Sequence, residues 1–192
     1  MKPYILFILF STFLVGSQTP ISKSIGEFSE LKIFDRINVE LIESTENKIE
    51  ITGQNITDVS IIQKNELLKI KMDFNKVFNG DKTFIKLFYT KINTIDANEG
   101  AKVFSDSTFK QYELELKTQE GAEISVNADT NILSIKSVTG GVIKASGSTK
   151  SQNIYISTGG VYDAGTLTAM NSKIKIKANK NKSQNKKELS YS

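Results

Sequence analysis

The stretch Thr139-Gly140-Gly141-Val142-Ile143-Lys144-Ala145-Ser146 decides the fold, because its core phrase recurs on both sides. The other copies are Gly100-Ala101-Lys102-Val103, Gly121-Ala122-Glu123-Ile124 and Gly159-Gly160-Val161-Tyr162. The lead glycines of the four copies lie 21, 19 and 19 residues apart. A fixed period of about 20 residues in strand-rich sequence predicts stacked coils that bury one another's apolar faces. Three residues after each lead glycine come Val103, Ile124, Ile143 and Tyr162, and five after come Ser105, Val126, Ala145 and Ala164. Offsets that differ by two share one strand face, so both columns are expected inside. Six after come Asp106, Asn127, Ser146 and Gly165, residues that suit a corner. A second short strand precedes each later glycine, at Leu114/Leu116, Leu133/Ile135 and Ile154/Ile156.

Working outward, residues 18–32 read as a lead-in. Period-two alternation follows at Ile37, Val39 and Leu41, then Ile49 and Ile51, Val59 and Ile61, and Leu68, Ile70 and Met72. Phe74 to Asp81 interrupts it with a turn, and Phe84 to Tyr89 resumes a strand that is apolar on both faces. No stretch has a helical period. The fold class is therefore all-β: a β-solenoid, or β-helix-like stack of short strands, with coils of about 20 residues. After Ile174 and Ile176 no glycine phrase follows. The last coil is expected to lack its C-terminal cap, which leaves an adhesive edge.

Residues 1–17 read as a signal peptide. Lys2 supplies the charged start, Ile5 to Val15 the apolar run, and Val15-Gly16-Ser17 the small residues for cleavage near Ser17/Gln18. The run is shorter than the roughly 20 residues that span a bilayer. The domain is expected over 18–178, and 179–192 as a disordered Lys/Asn/Ser-rich tail. The net charge of +4 misleads: Lys2, the seven lysines from Lys173 to Lys187 and Glu188 together carry +7, so residues 3–172 carry −3. With Arg36 as the sole arginine, a nucleic-acid partner is not expected.

Phe34-Asp35-Arg36-Ile37-Asn38-Val39, the Gly-Gly-Val phrases and Thr158-Gly159-Gly160-Val161-Tyr162-Asp163-Ala164 together resemble one family, over roughly residues 28–178. It is the "putative auto-transporter adhesin, head GIN domain" family, a domain of unknown function in secreted Bacteroidetes proteins. The resemblance implies a β-helix-like fold and an extracytoplasmic location, and it brings no catalytic motif. It also implies further glycine phrases and a closing strand. This sequence instead continues after about Ala178 into Asn179-Lys180-Asn181-Lys182, as a truncated or frame-shifted chain would.

Chemistry is scarce. The chain has no histidine and no cysteine, which excludes disulfides, Ser–His and Cys–His nucleophiles and histidine- or thiolate-ligated metals. Glycosidase work would need two facing carboxyls. Asp96, Glu99, Glu120, Glu123 and Asp163 lie near the glycine phrases, with Glu99 and Glu120 one coil apart. They read first as solvated turn acids, since Thr139 and Thr158 take that place next, and Arg36 lies far off in sequence. Gly159-Gly160 and Asp163 echo a calcium-binding repeat, but Lys144 takes the aspartate's place in the previous coil. Tyr89, Tyr112, Tyr155 and Tyr162 are either packed or stack on sugar rings, and Tyr162 belongs to an interior column. Lys175 and Lys177 alternate with Ile174 and Ile176 as a half-exposed strand, and secondly as a contact for an anionic surface. Asn55-Ile56-Thr57 matches the N-glycosylation pattern. No catalytic, metal or cofactor residue is assigned. The expectation is a secreted or cell-surface module that binds glycan or protein without catalysis. The alternatives are a structural protein self-associating through its C-terminal end and, third, a carbohydrate-active β-helix enzyme.

Overall fold

The decisive local structure is a five-fold series of two-residue corners, seen in the computed structural model over residues 19–177. The leader at 1–17 and the tail at 179–192 lie outside the described residues. At each corner two successive residues have positive φ: Asp35-Arg36, Glu99-Gly100, Glu120-Gly121, Thr139-Gly140 and Thr158-Gly159. Each turn is closed by an N–H donating three residues back, as from Ala101 to the Asn98 carbonyl at 3.0 Å and from Gly141 to the Val138 carbonyl at 2.9 Å. This is the type I′ geometry, which requires φ > 0 at both central positions. The corners are also bonded to one another. Arg36 N–H donates to the Glu99 carbonyl, Gly100 to Glu120, Gly121 to Thr139 and Gly140 to Thr158, at 2.9–3.3 Å.

Strands run from these corners and stack in two walls. The front wall holds β1 (Ile21–Ser24), β4 (Lys48–Gly53), β7 (Thr83–Tyr89) and β3 (Asn38–Glu43). It continues into the first halves of β9 (Lys102–Thr118), β10 (Glu123–Ser137), β11 (Val142–Ser157) and β12 (Val161–Lys177). The back wall holds β5 (Val59–Lys64), β6 (Leu67–Met72), β2 (Glu30–Ile33) and β8 (Thr94–Ala97), then the second halves of β9 to β12. The short strands expected around each corner thus run together into continuous strands of 15–17 residues in the last four coils. At the second corner the burial phase slips by one residue, near Asn131-Ile132 and Lys150-Ser151, which turns the chain from front to back. Two 3-10 turns, Ile56–Asp58 and Phe74–Lys76, complete the secondary structure among the described residues.

The core lies between the walls in files. On the front wall Ile21, Ile51, Ile85, Val39, Val103, Ile124, Ile143 and Tyr162 stand in register on successive strands. On the back wall Leu68, Leu31, Ile95, Leu116, Ile135, Ile154 and Ile174 do the same. Val103, Ile124 and Ile143 are buried in one stacked file, as the period predicted. The irregular spacing also has a structural cause. Ser125 pairs with Phe104 but Asn127 with Thr108, so Ser105–Ser107 bulge against Val126 and account for the 21-residue interval. Ala164-Gly165 form a second bulge between the Lys144 and Ser146 pairings.

Two expectations need correction. The lead-in at 18–32 already contains β1 and most of β2, and Leu31 is fully buried. Arg36 is not remote from the glycine phrases. It is the first corner of the series and lies on the next, where a Cβ on Gly100 would stand 3.1 Å from its Cγ. The turn before it is fastened by Asp35, whose buried carboxylate accepts from Met72 N–H at 2.9 Å and Phe78 N–H at 3.2 Å. The double glycines arise from close approach: a Cβ on Gly160 would meet the Ser137 carbonyl oxygen at 2.1 Å. Ala101 and Ala122 occupy the same place in earlier coils.

The two ends differ. At the first, β1–β4, β4–β7 and β5–β6 pair antiparallel, so parallel stacking gives way there to hairpin-like pairs with β1 and β5 as the edge strands. At the other, β12 pairs only with β11 among the described residues. Two outcomes follow. Asp35→Ala strands two N–H groups, costs about 2–3 kcal/mol and lowers the thermal midpoint by about 5–10 °C in calorimetry. A wild-type midpoint in that variant contradicts the fastening role. Thr139→Asn relieves a β-branched residue at φ 49°. Asn-Gly is the preferred type I′ pair, so about 0.5–1 kcal/mol is gained in urea unfolding, whereas a loss contradicts strain at that corner.

Candidate functional site

The acids near the glycine phrases fall into one file at the corners and several that are held by separate partners. Glu99 and Glu120 do stand one storey apart, and Asp35 extends their file in the direction opposite to Thr139. Burial, then Asp35 and Glu120, raises the Glu99 pKa above the ordinary glutamate value. Asp35, however, is committed to backbone N–H groups. Glu123 accepts from Lys144 Nζ at 2.5 Å, and Asp163 accepts from Gly165 N–H at 3.0 Å inside the bulge. Half-buried Asp96 accepts from Asn98 Nδ2 at 3.1 Å and lies 3.8 Å from Lys32 Nζ. Its pKa is raised by burial, against the opposing pull of Asn98 and the lysines. Arg36 turns its guanidinium over the Phe78 ring at 5.8 Å rather than toward the acids. Among the described residues no three acids are grouped to hold a metal ion.

The tyrosines separate into packed and free. Tyr89 is buried and stacks on Phe109 at 5.5 Å, and burial pushes its hydroxyl up to about 12. Tyr162 sits in its interior file and donates to Gln152 Oε1 at 3.0 Å, and burial likewise pushes it up to about 12. Tyr155 is half-buried on the outer back wall, with Lys177 Nζ 6.0 Å from its ring centre. Tyr112 is 67% exposed.

Tyr112 stands free because of a step in the stack. β7 ends at Tyr89 and only residues 90–93 lead to β8, so that coil has no segment to lie against the middle of β9. β9 pairs with β3 only at Lys102–Phe104 and with β8 only at Glu115–Thr118. A groove of about 570 Å³ opens on the ledge, lined by Lys91, Asn93, Thr94, Tyr112, Glu113 and Glu115. Gln111 props its floor, donating to the Ile92 and Glu113 carbonyls at 2.9 and 2.6 Å. An aromatic face with amide, hydroxyl and charged groups around it suits a sugar ring or a peptide side chain. The glycosylation pattern fares differently: Asn55 spends its amide N–H on the Asn79 carbonyl at 3.2 Å.

Sequence reasoning placed Tyr112 only among four tyrosines, because its exposure depends on what an earlier coil leaves out. It also missed an outward file on the back wall: Lys32, Asp96, Lys117, Lys136, Tyr155 and Lys175. Counting on from the glycines would have found its later members, at intervals of 19, 19 and 20 residues from Lys117.

The architecture has close counterparts. The crystal structure of a "putative adhesin" from Bacteroides fragilis NCTC 9343 superposes with a TM-score of 0.75 at 18% identity, over 84% of this chain and 78% of that one. A second "putative adhesin", from Parabacteroides distasonis ATCC 8503, gives 0.64 at 20% identity, over 83% and 78%. A "putative lipid binding protein" from the same organism gives 0.58 at 13% identity, over 84% and 79%. At these identities the likeness concerns the fold. No curated protein matches the sequence. The family model described as "Putative auto-transporter adhesin, head GIN domain" matches residues 27–188, and the chain therefore belongs to that family.

Proposed function

We propose that the protein is a non-catalytic binding module acting outside the cytoplasm, after signal-peptide cleavage near Ser17/Gln18. Its task in this reading is adhesion to a glycan or protein of a cell surface. The observation that carries it is the ledge groove: an exposed aromatic face above polar groups, where the Glu115 carboxylate is held by Lys117 at 2.7 Å. The adhesin descriptions of the family and of the superposable structures agree with it. No helix among the described residues is long and apolar enough to cross a membrane. In a glycan and cell-surface binding screen the protein binds a target, and Tyr112→Ala weakens that binding roughly fivefold, the effect of about 1 kcal/mol of lost stacking. Because Tyr112 is exposed, the thermal midpoint stays put. No target above the heat-denatured control, or full binding by the variant, removes the reading.

A second reading is favoured by the other end of the molecule. Among the described residues β12 offers 17 residues of strand edge and three exposed apolar side chains: Val161 at 48%, Met170 at 77% and Ile176 at 62%. Unpaired strand edges with apolar side chains invite a further strand, and a second copy of this chain brings one of equal length. Sedimentation equilibrium is expected to show dimer rising with concentration, and Met170→Lys with Ile176→Lys to restore monomer. A monomer throughout the concentration series excludes this role for the edge.

A further inference from the structure

We propose that the outer back wall over the last three coils is a binding site for an acidic polysaccharide. The register brings it together. Lys136, Tyr155 and Lys175 are successive members of one outward file, and Ser134, Asn153 and Lys173 form the neighbouring one. Lys177 lies opposite Ser157 beside them. Adjacent strands are about 4.8 Å apart, so the Cα atoms of Lys136 and Lys175 lie roughly 10 Å from each other across Tyr155. Lys173, Lys175 and Lys177 follow at every second residue along the edge strand, about 7 Å apart.

The charge balance changes along this wall. Between β2 and β9 the lysines of this wall have acids: Lys32 lies 3.2 Å from Glu30 and 3.8 Å from Asp96, and Lys117 lies 2.7 Å from Glu115. On β6 Lys69 lies over the Phe34 ring at 4.5 Å instead, and Lys71 makes no salt bridge among the described residues. On the front wall Glu50, Glu40 and Glu123 serve Lys48, Lys86 and Lys144 in the same way. Beyond Lys117 the outward positions of the back wall carry no acid. Among the described residues Lys136, Lys173, Lys175 and Lys177 form no salt bridge, and all four are exposed. Four ammonium groups that span two strand spacings across the wall and about 14 Å along the edge strand repel one another, and they raise the local concentration of a polyanion.

The rest of the patch identifies the kind of polyanion. Tyr155 gives a half-exposed ring at the centre of the cations, against which the C–H face of a sugar can stack. Ser134 and Asn153 flank it and make no side-chain hydrogen bond among the described residues, so they are free to meet sugar hydroxyls. Nucleic acid fits less well, since no arginine fork is present. A lipid surface fits less well, since Ile176, the large apolar side chain exposed among the lysines, alternates with them and lies on the inward face. A chain of carboxylate- or sulfate-bearing sugar rings uses both the point charges and the ring. This site deepens the adhesion reading by naming a ligand class, and it is physically separate from the Tyr112 groove.

The test uses the full chain and polygalacturonate, a polymer of carboxylated sugar rings, with its methyl ester as the uncharged counterpart. Titration calorimetry is run at about 50 and about 300 mM salt. The parent binds polygalacturonate and not the ester, and affinity falls with salt. Lys136→Gln with Lys175→Gln lowers affinity about tenfold at the lower salt. Lys102→Gln with Lys110→Gln, the same charge change on exposed positions elsewhere, lowers it less than about twofold, as does Tyr112→Ala. Equal losses from the two double variants, or equal binding of the ester, overturn the proposal. So does tighter binding to vesicles of phosphatidylglycerol in phosphatidylcholine than to polygalacturonate. Loss in Tyr112→Ala alone would instead assign the uronate to the ledge groove.

Discussion

A left-handed corner that bonds to the corner of the next storey is the constraint on which the rest of the protein depends. Within one corner the closing N–H fixes where a strand may start. Between corners the carbonyl of Glu120 or Thr139 takes the N–H of the residue stacked on it, so every strand starts at the same height in register. A slip of one residue would turn the interior files outward, because side chains alternate along a strand. The corners therefore hold Val103 over Ile124 over Ile143, and burial of those files supplies the stabilisation.

That constraint shapes the surface as much as the core. Parallel stacking in register repeats outward positions as faithfully as inward ones, so any residue type recurring at the coil period becomes a line on the outside. Several lines here are neutralised, across strands as with Lys144 and Glu123 or along one strand as with Lys117 and Glu115. On the last part of the back wall the period instead brings lysines together with no acid among them. The step above the middle of β9 is another consequence. One coil takes a shorter path from front wall to back wall, and the wall segment it leaves out exposes Tyr112.

The architecture was readable wherever glycine took the second place of the corner. Gly100, Gly121, Gly140 and Gly159 announced the period, and the apolar columns behind them lie where counting placed them. The first corner escaped because Asp35 and Arg36 reach the same positive φ without glycine, held by bonds from Met72 and Phe78 that lie about 40 residues away in sequence. The bulges at Ser105–Ser107 and Ala164-Gly165 were invisible as such, since an insertion inside a period looks like imprecise spacing. The candidate surfaces were less readable than the fold. Tyr112 differs from Tyr89 only through what neighbours them in space. Lys175 and Lys177 were readable as a half-exposed strand that could meet an anionic surface, but Lys136 and Tyr155 join them only through the register of the stack.

The series of corners makes the two ends of the stack unlike. At the first end the Asp35 carbonyl, which a preceding corner would need, already accepts from Gly80 N–H at 3.0 Å, and β1 and β5 are the edges of antiparallel pairs. At the other, among the described residues, β12 shows the edge of a parallel pair. A 19-residue segment duplicated from β11 would bring its own corner and both of its wall strands, and it could extend the parallel side by one storey in register.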